Sequence, residues 1–459
     1  MTLLLIPAII FDMKAQNLTL RQRFGQWVQG FSRWFKPGLG IKRWMLVILA
    51  GITMLGLGLA AFLLDLYRTD ATNSTVLAFV SLISLRFLPR FVRVLIFGGL
   101  GIGLVSYGTW GLNRALLRPF LRPGHTVIDQ LSDFRRRDRG PRVVAIGGGH
   151  GLSTLLRGLK THTRNLTAIV TVADDGGSSG RLRESFGILP PGDIRNCLAA
   201  LSNDEALLTQ LFQYRFSGSA GLEGHSFGNL FITALTDITG SFEEAVAESG
   251  RALSVSGRVL PSTLHDVHLV ADVLLPHAVN EVRVQGESKI PEAAGRIRRV
   301  WLEPNNPPAF PPVLQAILNA DLIVVGPGSL YTSLLPNLLV PDLLAAIHAS
   351  RAVKVYICNI ATQVGETDLY TCHDHVRALE EQVGENFFDV VLCNENYECN
   401  LGSTSEWVRA DEKSRADLRF YGADLMDAGH PWRHDSVKLS QVLMDLFYER
   451  TGPLSDRIE

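Results

Sequence analysis

The residues with the clearest chemical potential are glycines that follow a short apolar run. Residues 141–146 (PRVVAI) end directly in Gly147, Gly148, Gly149, His150 and Gly151, and a helical pattern begins there. Glycines at such a turn let the backbone approach a ligand closely, and the unpaired N–H groups of a helix start favour phosphate. This pattern predicts a phosphate-binding turn, with a tight structural turn as the alternative.

The spacing of these glycines differs from two well-known nucleotide-binding patterns. In G-x-G-x-x-G counted from Gly147 the third glycine falls on Leu152, and counted from Gly149 it falls on Thr154. No GK[ST] sequence follows, which excludes a P-loop. A nicotinamide-dependent oxidoreductase is therefore the least favoured of three functional hypotheses.

A second apolar run, residues 168–172, ends in the adjacent carboxylates Asp174 and Asp175. Asp174 follows Gly147 by 27 residues, about where dinucleotide enzymes place a ribose-binding acid. The pair could equally hold a divalent cation such as Mg²⁺ beside phosphate, or form an Asx turn. The next residues, 176–181 (GGSSGR), join flexible backbone donors to a guanidinium group suited to phosphate.

Further glycine, amide and hydroxyl groups follow other apolar runs. Residues 322–325 lead into a second glycine turn at 326–329, and residues 353–357 lead into an amide- and hydroxyl-rich stretch at 358–363. In open α/β sheets, ligands bind beyond the carboxyl ends of the strands, so both turns are expected to face one crevice. The candidate ligand-binding residues are Gly147, Gly148, Gly149, His150, Gly151, Ser153, Asp174, Asp175, Gly176, Ser178, Ser179, Arg181, Asn196, Asn229, Gly326, Gly328, Ser329, Asn359, Thr362 and Arg433. No general base or nucleophile stands out, and His150 and His225 are the nearest candidates.

The order of these runs predicts the elements that position the candidate residues. Strands alternate with helical patterns from residue 141 onward, which is typical of an α/β domain with a mostly parallel sheet and helices on both faces. Short alternating runs within 267–302 predict a small antiparallel insert. We expect one nucleotide-binding α/β domain over residues 141–459.

The part of the chain before this domain has a different composition. Residues 1–142 hold 19 Lys and Arg against 6 Asp and Glu, whereas the rest of the 459-residue chain holds 25 against 39. Residues 45–64 and 94–112 lack charged side chains and are long enough to cross a bilayer as helices. We therefore expect a basic segment at 1–43, a transmembrane hairpin at 44–113 and a basic linker at 114–140. Lys and Arg flank both ends of the hairpin, which predicts a multi-pass protein of the cytoplasmic membrane with its main domain inside.

The cysteines do not suggest a local metal or disulfide motif. There are five of them, with no CxxC spacing. The string Cys372, His373, Asp374, His375 resembles a metal site, but consecutive residues on a helix point to different faces. Cys393 and Cys399 are expected to be ordinary buried thiols.

Several long motifs together resemble one known family. The segments RVVAIGGGHGLSTLLRGLK, VADDGGSSGRLRESFGILPPGDIRNCL, GHSFGNLF, ADLIVVGPGSLYTSLLPNLLV and ICNIATQVGETDLYT are similar to those of the YvcK-like gluconeogenesis factors, relatives of the 2-phospho-L-lactate transferase CofD. The resemblance covers about residues 141–448 and leaves out residues 1–140. It implies a Rossmann-like fold in which 147–153 lie against a diphosphate, Asp174 and Asp175 hold ribose or a cation, and Arg433 closes on the pyrophosphate or sugar.

The resemblance also implies two functions. In the regulator branch it implies binding of a UDP-sugar such as UDP-N-acetylglucosamine, with a role in carbon flux, cell-wall supply and cell shape and no required cofactor. In the CofD branch it implies transfer of a phospholactyl group from a nucleotide-activated donor to a deazaflavin, with a divalent cation. A membrane-tethered regulator is our first expectation and a transferase the alternative. Protein partners in cell-wall or carbon metabolism and self-association are expected, and nucleic acid is not.

Overall fold

The computed structural model describes residues 41–66, 85, 88–117, 140–203, 206–218, 221–276, 280–399, 401 and 405–452. It divides the chain into two compact units, residues 1–132 and 133–459. Most of the predicted N-terminal basic segment (1–43) and of the linker (114–140) lies outside the described residues.

Two long apolar helices make up the described part of the first unit. Helix α1 spans Ile41–Leu66 and helix α2 spans Arg90–Leu117. A Cβ atom added to Gly51 would lie 2.9 Å from Val105, and one added to Gly108 would lie 2.7 Å from Ile48. The two helices therefore pack closely because glycines leave room for the opposite helix.

One stretch of the described residues, Phe91–Asn113 in α2, is long and apolar enough to cross a membrane by length and composition. In α1 the corresponding apolar stretch, Trp44–Gly56, is shorter. Two short helices of the second unit, Leu330–Leu338 and Pro341–Ala349, pass the same test only if counted as one span bent by 76°. Leu330–Leu338 is buried throughout, whereas Pro341–Ala349 buries only Leu343, Ala346 and Ile347, as a helix on the surface of an α/β core does.

The second unit is built on a seven-stranded sheet in which all neighbouring strands are parallel. Its strands are β1 (Val143–Gly147), β2 (Leu166–Val170), β3 (Arg258–Pro261), β7 (Leu322–Val325), β8 (Val353–Ile357), β9 (Val390–Asn394) and β10 (Phe420–Ala423). Residues of β1, β2, β7 and β9 are buried throughout, as expected for strands covered on both faces. The predicted α/β fold with a mostly parallel sheet is therefore confirmed.

Helices alternate with these strands. They are α3 (Gly149–Leu159), α4 (Gly177–Phe186), α5 (Gly192–Leu201), α6 (Ala206–Gln213), α7 (Phe227–Thr239), α8 (Phe242–Ala252), α9 (Lys289–Glu292), α10 (Pro311–Leu318), α11 (Leu335–Leu338), α12 (Pro341–Ala349), α13 (Cys372–Val383), α14 (Glu412–Ala416) and α15 (Ser436–Thr451). A π-helical turn, Leu330–Leu334, precedes α11.

A separate three-stranded antiparallel sheet lies within the region predicted to be an insert. Its order is β5 (Val282–Gln285), β4 (His268–Leu274) and β6 (Arg296–Glu303), and a bulge interrupts the β4–β6 pairing after Asp272.

The strand order of the large sheet reverses at β1. The order is β10-β9-β8-β7-β1-β2-β3, so the chain runs outward from β1 to β3 and then returns to the other side of β1 as β7. In doubly wound folds a crevice lies beyond the carboxyl ends of the strands where the order reverses, and ligands bind there. The turns after β1 and β7 border this crevice.

Candidate functional site

The two glycine turns touch each other at the reversal point. A Cβ atom on Gly151, in the first turn of α3, would collide with the carbonyl oxygen of Pro327 and lie 3.1 Å from the amide nitrogen of Gly328. Gly149 has a φ of +62°, and Gly326 has a φ of +85°. Only glycine supplies both the close approach and the left-handed backbone at low cost. The turns predicted from sequence to share a crevice thus lie side by side.

Two asparagines and one glutamine form hydrogen bonds that hold these turns in place. The Asn359 side chain accepts a hydrogen bond from the Gly328 amide (3.1 Å) and donates one to the Gly328 carbonyl (2.9 Å). The fully buried Asn337 donates to the carbonyl of Gly147 at 3.1 Å. Gln363 donates to the Ser329 hydroxyl at 2.8 Å. Asn359, predicted as a ligand contact, therefore positions the second turn in this structure.

Carboxylates border the crevice on the side of β2. Asp174 accepts the Gly176 amide at 2.9 Å, and burial raises its pKa against the opposing effect of this bond. Asp193, near the start of α5, accepts a hydrogen bond from the Gly149 amide at the start of α3. Burial, together with the charge of Asp174, raises the pKa of Asp193 to about 7. Asp193 therefore changes charge near neutral pH, at the amide where a phosphate is expected.

Two glutamates come to this acidic side from distant parts of the chain. Burial and the neighbouring charges of Asp174 and Asp193 raise the pKa of Glu287 to about 8. Glu366 is buried, accepts from the Thr332 hydroxyl at 2.9 Å and the Tyr331 amide at 3.3 Å, and has a pKa raised by burial. Glu366 also raises the pKa of Glu287, so the two are near neighbours.

Basic groups border the crevice near the first glycine turn. Burial and the nearby guanidinium groups of Arg433, Arg195 and Arg157 lower the pKa of His150, so the imidazole is neutral at pH 7. Arg195 is largely buried and donates to the Asn196 side chain at 2.7 Å, but its Nε has no partner among the described residues. The Arg433 side chain is exposed. Arg195 also interacts with the charges of Asp193 and Asp174, so basic and acidic groups lie close together at the first glycine turn.

A third group of predicted residues forms its own buried network at the start of α4 and α7. The Ser178 hydroxyl lies 3.0 Å from Nδ1 of His225 and accepts from the Asn229 side-chain amide at 3.0 Å. Asn229 follows the N-cap Ser226, and its Oδ1 has no partner among the described residues. The Asn229 side-chain oxygen is therefore a buried acceptor without a donor among the described residues.

Other predicted residues make contacts that hold the fold locally. Asp175 accepts from the Ser288 amide at 2.9 Å and so ties the insert to the sheet. Arg181 donates to the carbonyl of Glu223, and Thr362 accepts from the Glu406 amide. Ser153 donates to the carbonyl of Gly149 within α3. Each of these four side chains therefore has a hydrogen-bond partner within the protein.

The structure adds four side chains to the predicted set: Asp193, Arg195, Glu287 and Glu366. Asp193 and Arg195 follow a Pro-Pro-Gly turn, and polar residues at such a helix start were a usable signal. Glu287 and Glu366 carried none, because the first belongs to the insert and the second lies in the loop before α13.

The acidic side is the candidate place for a hard divalent cation. Carboxylate oxygens are the ligands that Mg²⁺ prefers, and Asp174 and Asp193 lie close enough to raise the pKa of Asp193. Gly192 keeps the backbone small here, because a Cβ on it would lie 3.1 Å from Oδ2 of Asp174. Asp174 and Asp193 would hold the cation, which would neutralise part of a bound diphosphate.

Known proteins share this arrangement of sequence and fold. The model of the family described as 2-phospho-L-lactate transferase CofD matches residues 143–426. A Nostoc sp. protein is 51% identical over 379 residues, which cover 81% of this chain and 80% of that protein. The "Gluconeogenesis factor" of Bacillus subtilis is 46% identical over 319 residues, which cover 67% of this chain and 99% of that protein. The Nostoc protein's name contains the same words.

A solved structure agrees with these relatives. The crystal structure of protein BH3568 from Bacillus halodurans is 44% identical, covers 67% of this chain and 100% of its own, and has a TM-score of 0.63. The fold and the sequence similarity agree. The chain therefore belongs to the CofD family, among the relatives that are named gluconeogenesis factors.

Proposed function

We propose that this protein is a membrane-tethered gluconeogenesis factor that binds a UDP-sugar, of the UDP-N-acetylglucosamine type, in the crevice beyond the carboxyl ends of β1 and β7. The observation that carries the proposal is the contact between the two glycine turns at the reversal of strand order. Backbone N–H groups of two turns can then reach one diphosphate from both sides. The protein would report the level of cell-wall precursor to partners that govern carbon flux and cell shape.

The charges around the crevice support a nucleotide diphosphate as the ligand class. Arg195 and Arg433 lie near His150, and both can donate charge-assisted hydrogen bonds to phosphate. Asp174 and Asp193 would hold Mg²⁺ beside it. Asn229, with its unpartnered Oδ1, would accept from a donor on the ligand. The ligand thus meets donors, a cation site and an acceptor within one crevice.

The membrane tether rests on helices α1 and α2. Phe91–Asn113 has the length and composition of a span, and the close glycine packing of α1 on α2 is typical of helix pairs in bilayers. The predicted spans, 45–64 and 94–112, fall within these two helices. We propose that both helices cross the cytoplasmic membrane and leave the α/β unit inside the cell.

The second candidate is a CofD-like transferase, and one observation favours it. Asp193 and Glu287 have pKa values raised to about 7 and about 8, so each can accept or donate a proton near neutral pH. The sequence had offered no such group. In a transferase Glu287, which is not assigned to the cation, would take the proton of an acceptor hydroxyl, while Mg²⁺ on Asp174 and Asp193 and the glycine turns would stabilise the transferred phosphoryl group.

Thermal unfolding of the full-length protein in detergent tests the ligand. A ligand that binds only the folded state raises the melting temperature. We expect UDP-N-acetylglucosamine with Mg²⁺ to raise it, and NAD and GTP to leave it unchanged. The absence of any shift with UDP-sugars at millimolar concentration would rule out the first proposal.

Analysis of the nucleotide after incubation separates the two candidates. A regulator leaves the UDP-sugar intact over hours. A transferase consumes a nucleotide-activated phospholactate donor when Mg²⁺ and a deazaflavin acceptor are present, and the same reaction stops in Asp193→Asn.

A further inference from the structure

The side chains of three cysteines that are far apart in sequence lie together at the carboxyl end of β8. The sulfur atoms of Cys358, Cys372 and Cys393 all lie within 4.8 Å of one another. All three side chains are buried, with exposed fractions of 0%, 1% and 1%. Local spacing could not predict this cluster, because its members come from the end of β8, the start of α13 and strand β9.

The backbone fixes the three thiols independently of any ligand. Ile357 pairs with Leu392 between β8 and β9, and the Cys358 amide donates to the Leu392 carbonyl at 3.0 Å, so Cys358 and Cys393 are neighbours in register. The Cys372 amide donates to the Arg409 carbonyl at 3.0 Å, which anchors the start of α13. The cluster is thus preorganised by hydrogen bonds of the main chain.

We propose that Cys358, Cys372 and Cys393 form a binding site for a single thiophilic cation, and that copper(I) is the ion that fits it best. Soft thiolate ligands select copper(I) and zinc. Three sulfurs around one ion at roughly 2.3 Å are separated by about 4 Å, which the cluster reaches with a small contraction.

The absence of a fourth ligand decides between these two ions. Within the described residues, no His nitrogen, carboxylate oxygen or further thiol joins the three sulfurs. Structural zinc sites are almost always four-coordinate, whereas copper(I) accepts lower coordination numbers. The cluster is therefore better suited to copper(I) than to Zn²⁺.

Two neighbouring groups compensate the charge of a bound thiolate. The Tyr356 hydroxyl lies within hydrogen-bonding reach of the Cys358 thiol. Cys372 is the first residue of the twelve-residue helix α13, whose positive end partly offsets the hydrogen bond to Cys358 and the burial that raise the pKa of the Cys372 thiol. On binding, two thiols release their protons to solvent and the third remains a neutral ligand, so the ion and two thiolates carry one net negative charge.

The position of the cluster links it to the nucleotide crevice. Cys358 immediately precedes Asn359, which holds Gly328 of the second glycine turn. The Cys358 carbonyl also accepts a hydrogen bond from Nε2 of His434, the neighbour of Arg433. A cation that joins β8, β9 and α13 would stiffen this edge of the crevice.

Anaerobic titration of the full-length protein with copper(I), under ascorbate and against a colorimetric copper(I) chelator, tests the site. We expect one tightly held copper(I) per chain, a sulfur-to-metal charge-transfer band in the ultraviolet, and a higher melting temperature. Cys393→Ala and Cys372→Ser should each weaken retention at least 100-fold. The matched controls Cys197→Ala and Cys399→Ala, which change the other two cysteines, should retain the ion.

Three results would overturn the proposal. They are loss of copper(I) to the chelator by the unaltered protein, undiminished binding in both cluster variants, and loss of binding in Cys399→Ala. Circular dichroism identifies a cluster variant that does not fold, and the titration of the unaltered protein then remains decisive. Retention of Zn²⁺ in preference to copper(I) would contradict the choice of ion.

Discussion

Asp193 is the residue whose chemistry depends most on its surroundings. Its carboxyl accepts the Gly149 amide, faces Asp174 and is buried, so its pKa rises to about 7. In the unfolded chain the same carboxyl loses its proton near pH 4. Between these two values the folded protein binds the extra proton, so this group makes the protein less stable as the pH rises from 4 to 7.

Asp193→Asn should therefore stabilise the ligand-free protein at alkaline pH. The amide oxygen can still accept from Gly149 but cannot ionise. We expect the gain in the free energy of unfolding to be greater at pH 8.5 than at pH 5, by roughly 2 kcal/mol. Urea unfolding at the two pH values measures it. Asp237→Asn, on the exposed face of α7, is the control and should change stability by less than about 0.5 kcal/mol at both. A loss of stability at pH 8.5 would contradict the assigned pKa.

Arg433 should contribute to ligand binding without supporting the fold. Its backbone amide donates to the His430 carbonyl and its carbonyl accepts from Asp427, and alanine keeps both bonds. Removing one charge-assisted hydrogen bond to phosphate should weaken UDP-N-acetylglucosamine binding about tenfold. Calorimetric titration measures this, with Arg251→Ala, an exposed arginine of α8, as the control. Equal affinities of Arg433→Ala and the unaltered protein would remove Arg433 from the site.

At the scale of elements, the two glycine turns and the helix that starts between them behave as one unit. Gly151 lies against the backbone of residues 327 and 328, and backbone cannot yield as a flexible side chain can. The distance between the turns is therefore set by the absence of one Cβ atom.

Gly151→Ala should force the turns apart. We expect a loss of about 2 kcal/mol in the free energy of unfolding and a loss of UDP-sugar binding. Gly250→Ala is the matched control, because Gly250 is also helical and an added Cβ would meet only ordinary contacts at 3.6 Å or more. That variant should be neutral or more stable by up to about 1 kcal/mol. Unchanged ligand affinity in Gly151→Ala would show that the ligand does not use both turns.

Helices and strands were more predictable from sequence than the side chains that tertiary packing brings to the candidate site. The strand-turn-helix units around Gly147 and Gly326 carry local signals in composition and spacing, and the parallel sheet follows from their repetition. Glu287 and Glu366 reach the crevice only through tertiary packing, so no local pattern indicated them. Asn359 was predicted to contact the ligand, but in the structure its side chain holds the second glycine turn, because a glycine-rich loop needs partners for its own amide groups.

The N-terminal part of the chain is basic, and the remainder is acidic. The basic part, residues 1–142, suits a surface of anionic lipid, and the acidic part carries the crevice. Binding of the proposed anionic nucleotide by the acidic unit would therefore depend on local donors and a divalent cation.

Cysteine labelling tests the proposed membrane topology. In Asp70→Cys, placed between the two proposed spans, an impermeant thiol reagent should label intact cells once the outer envelope is opened. The five native cysteines all follow residue 196 and should react only after lysis. The unaltered protein is the control. Labelling of residue 70 only after lysis would exclude a hairpin with both ends in the cytoplasm.

The position of β1 has a mechanical consequence. The chain enters the α/β unit at Gly140 and continues at once into β1, which is hydrogen-bonded to β2 on one side and β7 on the other. Arg142, just before it, pairs with Asp321 through its amide (2.9 Å) and its guanidinium (3.1 Å). Tension applied along β1 would load both ladders in shear, so the strand at the point of attachment is held on both sides. Any remaining strain is delivered along β1 to Gly147, at the edge of the crevice.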